Sequence, residues 1–117
     1  MYKLIVLSSI LLVTLFSTAV KGDECDISGV WNHSAKPAKL FIDLSKAEIL
    51  VHSHENNPES TGLVVLKNIT QGSTENYWNA KMYSAAEDSF VNVKITSKSC
   101  NKLSVSFNDE EILGLLR

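Results

Sequence analysis

The chain is poor in what nucleic-acid binders, redox proteins and membrane anchors require. Of its 11 basic residues one is arginine, Arg117, and the lysines are scattered singly. The formal net charge is −2. Phosphate contacts need clustered Lys and Arg, so nucleic acid is not an expected partner. The two cysteines, Cys25 and Cys100, lack the C-x-x-C spacing that depresses a thiol pKa. No G-x-S-x-G elbow is present. A Ser–His–Asp set could be picked from any chain this rich in serine, so none is assigned. The chain has no internal repeat, linker or low-complexity tract. Nor does it carry a basic amphipathic stretch that would lie on a membrane surface. These absences point away from an enzyme and imply no cofactor.

What is present begins with a targeting pattern. Lys3 gives a short positive region, and Leu4 to Phe16 is apolar apart from Ser8, Ser9 and Thr14. Small residues follow, then the polar Lys21-Gly22-Asp23-Glu24. This is the three-part layout of a secretory signal. The apolar run falls short of the roughly 20 residues that span a bilayer. Residues 1–22 are therefore expected to be a signal peptide cut after Gly22, with a cut after Ala19 as the alternative. Residues 23–117 are expected to form one secreted or periplasmic domain with no membrane span, working as a monomer. Losing Lys3 and Lys21 takes the net charge from −2 to −4. An even cysteine count in an oxidising compartment predicts a Cys25–Cys100 disulfide.

The mature chain alternates apolar and polar residues with period two, the signature of strands with one buried face. Ile27, Gly29 and Trp31 share a first face, and Leu40, Ile42 and Leu44 a second. Ile49 and Val51 mark a third strand that runs into His52-Ser53-His54. Gly62 to Ile69 is more continuously apolar, so a strand or one helical turn is expected there. Trp78, Ala80 and Met82 face opposite to Tyr77, Lys81 and Tyr83. Val91, Val93 and Ile95, then Leu103, Val105 and Phe107, give two more strands, and Glu111 to Arg117 an eighth. Short strands about every 8–12 residues with polar turns predict an all-β sandwich or barrel. About eight short strands would make a small antiparallel up-and-down barrel, filled by its own side chains or holding one small ligand. The bulk of the inward set favours a filled interior with a shallow pocket.

Gly29-Val30-Trp31 on the first strand, with the late Arg117, resembles the signature of the calycin barrels: lipocalins, avidins and fatty-acid-binding proteins. In those, the tryptophan plugs one barrel end and the arginine packs over its ring, which implies structural roles for Trp31 and Arg117. Cys25-Asp26-Ile27-Ser28-Gly29-Val30-Trp31 is also similar to the opening of avidins, including a cysteine that pairs far downstream. A longer resemblance is to the exported bacterial family known as domain of unknown function 2147. It rests on Gly29-Val30-Trp31, Lys36-Pro37-Ala38, Asn57-Pro58-Glu59 with Gly62 to Lys67, Trp78-x-x-x-Met82-Tyr83-Ser84-Ala85, and Arg117, in that order. That family often ends with a tryptophan just before the final arginine, and Leu113-Gly114-Leu115-Leu116-Arg117 has none. The resemblance implies a lipocalin-like barrel in the bacterial envelope and no assigned activity.

Tyr77, Trp78, Met82 and Tyr83 are the candidate ligand-contacting residues of a barrel mouth, because aromatics and Met give contact area at low entropy cost. They suit a small apolar or amphipathic ligand, or a segment of a protein partner. An envelope interaction or stress protein with a filled barrel is the alternative. His52 and His54, two apart on a strand and so on one face, could hold a metal with His33 or Glu55 as third ligand. Glu87 and Asp88 read as a solvated turn.

Overall fold

The computed structural model describes residues 25–117. The expected signal peptide and its cleavage sites lie outside them. Eight strands follow one another as β1 (Gly29–His33), β2 (Ala38–Asp43), β3 (Glu48–His54), β4 (Val64–Gln71), β5 (Tyr77–Ser84), β6 (Ser89–Ser99), β7 (Lys102–Phe107) and β8 (Glu110–Leu116). Each pairs antiparallel with the next, and β8 returns to β1 through Asn32↔Leu116 and His33↔Leu115, closing an up-and-down barrel. Closure leaves no unpaired edge for another chain to join. The run after Gly62 is strand, not helix: it pairs with both β3 and β5, and a bulge between Lys67 and Thr70 lets Leu66 and Ile69, three apart, both face inside. A single 3₁₀ turn, Pro58–Ser60, occupies the loop before it.

Alternation places the core inside the barrel. Trp31, Leu40, Ile42, Ile49, Val51, Leu66 and their counterparts on β5–β8 form one continuous buried cluster. Leu44 does not extend the face of Leu40 and Ile42; β2 ends at Asp43, and Leu44 is 42% exposed in the following turn. Outside, the wall carries Lys39, Lys81, Lys94 and Lys102 with Asn79 and Asn92. Among the described residues, no helix is long and apolar enough to cross a membrane.

Five bulges break the simple alternation, one of them at Lys98 between β6 and β7. Leu40 pairs with Val51 but Lys39 with Ser53, so His52 is the extra residue of β3. Val65 is skipped between β3 and β4, Asn68 and Ile69 share one position opposite β5, and Ile112 is skipped between β7 and β8. Asn68 takes φ 58°, a left-handed conformation that Asn tolerates better than most residues. Each bulge reverses which face the following residues show, and it sharpens the local twist that lets a sheet close.

Candidate functional site

The strand directions divide the barrel into two ends. β1 and β3 run upward and finish at His33 and His54; β5 runs upward from Tyr77 to Ser84. The loops at 34–37, 55–63, 85–88 and 108–109 therefore share one end. The turns at 44–47, 72–76 and 100–101 share the other, together with Cys25 and Arg117.

At the lower end the core is plugged. Trp31 is completely buried, and its Nε1–H donates to the Ile27 carbonyl at 2.9 Å, so the indole enters the core with its polar atom satisfied. The Arg117 guanidinium lies 4.2 Å from the Trp31 ring centroid. Its Nη1 donates to the Ser28 carbonyl at 3.0 Å and its Nη2 to the Asp26 carbonyl. Cys25 and Cys100 are joined by a disulfide across a sequence separation of 75. Disulfide and guanidinium thus hold the same short segment, residues 25–29, across the barrel floor. Hydrogen bonds from Ser28 to the Asp26 carboxylate lower the Asp26 pKa, with Arg117 adding to the effect. Gly29 sits at φ 107°, where a side chain would be strained.

The four mouth candidates on β5 do not come together. Tyr77 and Trp78 stand at the plugged end, Met82 and Tyr83 at the open one. Tyr77 faces outward, its ring over Gly72, its hydroxyl 3.1 Å from the Ser73 Oγ and Lys94 over its face at 4.3 Å. A Cβ on Gly72 would lie 2.3 Å from that ring, so the glycine is what lets the ring lie flat. Trp78 is buried and borders a hollow it shares with Asp26, Ile27, Leu44, Gln71 and Glu75. Tyr83 faces outward, edge-on to Phe90, and donates to Asp88 Oδ1 at 2.7 Å, which raises its pKa. Glu87 and Asp88 are exposed in the turn. Of the four, Met82 lines the open end from inside.

There a recess of about 170 Å³ is walled by Leu40, Val51, Val65, Met82 and Leu113 and rimmed by His33, Lys36, Ala38 and His54. Its volume is near that of an engineered cavity, about 150 Å³, that binds benzene. His52 is not part of it. The bulge turns His52 outward, 6.5 Å from the Phe41 ring, and returns His54 to the inside. The pair thus lies on opposite sides of the wall, and among the described residues no three His, Cys, Asp or Glu side chains converge as metal ligands.

His33 and His54 are instead the pair that meets. Each ends an upward strand, with only β2 between them. His33 Nδ1 accepts the Ala35 N–H at 3.0 Å, and His54 Nδ1 accepts the Asn56 N–H at 3.1 Å. Both histidines therefore cap their own turn in the same way, two residues on. Burial lowers the His33 pKa, and the charges of Lys36 and His54 lower it further. Sequence reasoning offered His33 only as a spare ligand. The legible signal was that strands one and three point the same way and both end in histidine.

No protein-family model, curated protein or solved structure matches this chain.

Proposed function

We propose that the protein is a non-enzymatic, exported, monomeric binding module that receives a small apolar or amphipathic molecule in the open-end recess. The observation that carries this reading is the asymmetry of the barrel. The lower end is plugged by Trp31, Arg117 and the disulfide, and its hollow of about 260 Å³ is edged by Asp26, Gln71 and Glu75, whereas the upper end leaves Val65, Met82 and Leu113 around a mostly apolar recess. Ligand sites are typically concave and mostly apolar, with a few polar groups that fix orientation. The recess suits a body of about six to eight carbons, by comparison with the benzene cavity. The apolar run at 4–16 and the disulfide support export to an oxidising compartment.

Titration with hexan-1-ol, followed by amide NMR, tests the reading. Shifts should gather at residues 33–40, 51–54, 65, 82 and 113, and Val65→Phe should abolish them by filling the hollow. Shifts that gather instead around Trp78, or none at millimolar alcohol, would refute it. A second reading, a protein partner on the outer wall, is favoured by one observation. Val30, Phe41, Leu50 and Val64 pair successively across β1–β4 as an outward apolar row. Phe41→Ser with Leu50→Ser should then release a co-purifying protein while leaving alcohol binding intact.

A further inference from the structure

The chemistry of the rim narrows the ligand class. A nitrogen that accepts a backbone N–H must offer a lone pair, so neither Nδ1 carries a proton. The neutral ring then holds its proton on Nε2. Moving the proton to Nδ1 would set N–H against N–H at Ala35 and at Asn56, so both turns favour the Nε2–H tautomer. His33 and His54 therefore present a donor, and no acceptor, on the nitrogen left over. Lys36, on the same rim, is a cation with three donors and no acceptor. Among the described residues, no acidic side chain lines the recess; Glu55 borders an adjoining polar hollow that shares His33, Lys36 and Ala38 with it. An apolar hollow edged only by donors and a positive charge would leave an amine unpaired and an alcohol half-used. It would also offer a metal ion no lone pair without breaking a turn.

We propose that the recess takes a small amphipathic carboxylate, its hydrocarbon among Leu40, Val51, Val65, Met82 and Leu113, its head group on His33, His54 and Lys36. This rests on the reading of the recess as the ligand site. The two carboxylate oxygens offer about four acceptor positions, enough for two Nε2–H donors and the ammonium.

Hexanoate, hexan-1-ol and hexylamine, titrated at pH 8 and read by NMR, separate the possibilities. Hexanoate should bind about tenfold or more tightly than hexan-1-ol, the gain expected from charge-assisted hydrogen bonds, and hexylamine most weakly. In His33→Asn/His54→Asn/Lys36→Gln, each Asn carbonyl can still take the N–H two residues on, so the turns survive while the imidazole Nε2–H donors and the positive charge are replaced by neutral amide N–H groups. Hexanoate affinity should fall to that of hexan-1-ol, and hexan-1-ol affinity should stay put. Should the triple variant fail to fold, Lys36→Gln alone, on an exposed side chain, should still shrink the hexanoate preference. Equal affinity of acid and alcohol in the wild type would overturn the carboxylate assignment and leave the recess standing. So would a preference that survives loss of both imidazoles and the ammonium. Failure of all three probes would remove the recess and this inference together.

Discussion

Replacing Arg117 by alanine tests the plugged end most directly. Three interactions go at once: the guanidinium over the buried Trp31 ring and the two hydrogen bonds to the carbonyls of Ser28 and Asp26. A cation over an indole face is worth about 0.5–2 kcal/mol, depending on desolvation. A hydrogen bond to a charged group contributes about 1.5–3 kcal/mol when buried. Arg117 is exposed, so each of these two is discounted to about 0.5–1 kcal/mol by competition with water. The expected loss is about 2–3 kcal/mol, a large part of the roughly 5–15 kcal/mol that holds a domain folded. For a domain of this size that lowers Tm by about 10–20 °C. Thermal and urea unfolding of the oxidised protein would measure it. Arg117→Lys should recover less than half the loss, because an ammonium keeps the charge but not the planar fork that stacks and donates in two directions. In a Cys25→Ser/Cys100→Ser background the Arg117→Ala cost should rise above its value in the oxidised protein. Residues 25–29 would then have lost both ties and could take Ile27 out of the core. A Tm change within about 2 °C for Arg117→Ala would show that the Trp31 plug stands without its guanidinium, and that the pairing is incidental.

Two further outcomes follow from the same geometry. Removing the disulfide by Cys25→Ser/Cys100→Ser opens a long loop and should cost about 4 kcal/mol on chain-entropy grounds; equilibrium urea unfolding against the oxidised wild type checks it, and a cost below 1 kcal/mol would mean the unfolded chain gains little freedom. His33 supplies the pH dependence. Its pKa in the fold lies below the ordinary imidazole value of 6.5, so at pH between the two values the unfolded chain binds more protons than the folded one. The His33 contribution is therefore complete above pH 6.5 and is lost as pH falls through the lower folded value. Urea midpoints measured from pH 7.5 down to 5 should decline in the wild type and be flatter in His33→Asn; identical slopes would show that His33 titrates freely.

Much of the fold was legible because the core obeys period two. Trp31, Leu40, Ile42, Ile49, Val51, Trp78, Ala80, Val93, Ile95, Leu103 and Val105 all lie where alternation puts them. The sulfur pairing was legible from compartment and parity alone. The bulges were not, because no glycine or proline marks His52, Val65 or Ile112. At His52 one inserted residue was enough to send His52 and His54 to opposite sides of the wall and dissolve the expected metal pair. The β5 candidates were misgrouped for a different reason. Alternation says which face a residue takes, whereas the end it reaches depends on strand direction and position along the strand. Four residues at about 3.3 Å each put Trp78 and Met82 some 13 Å apart along the axis. Counting strand parity would have separated them. It would also have brought His33 and His54 to one rim.

That axial separation carries the functional argument. A barrel this small has little apolar surface to spare, and filling both ends would be the most stable arrangement. Instead the tryptophan, the arginine, the disulfide and Ile27 are all spent on one end, while the other keeps half-buried Met82, Val65 and two histidines over a hollow. Stability in proteins is unevenly distributed, and binding elements are drawn from its lower end. Concentrating the fastenings below lets the rim stay underpacked without unravelling the sheet, since every strand that ends at the rim is anchored at the floor. Two consequences separate this arrangement from a barrel that merely packs imperfectly. Substitutions at Trp31, Arg117 or the cysteines should change unfolding and leave probe affinity at the rim alone, and filling Val65 should raise stability as it abolishes binding. If plugging the recess destabilised the fold as much as unsealing the floor does, the hollow would be strain, not a site.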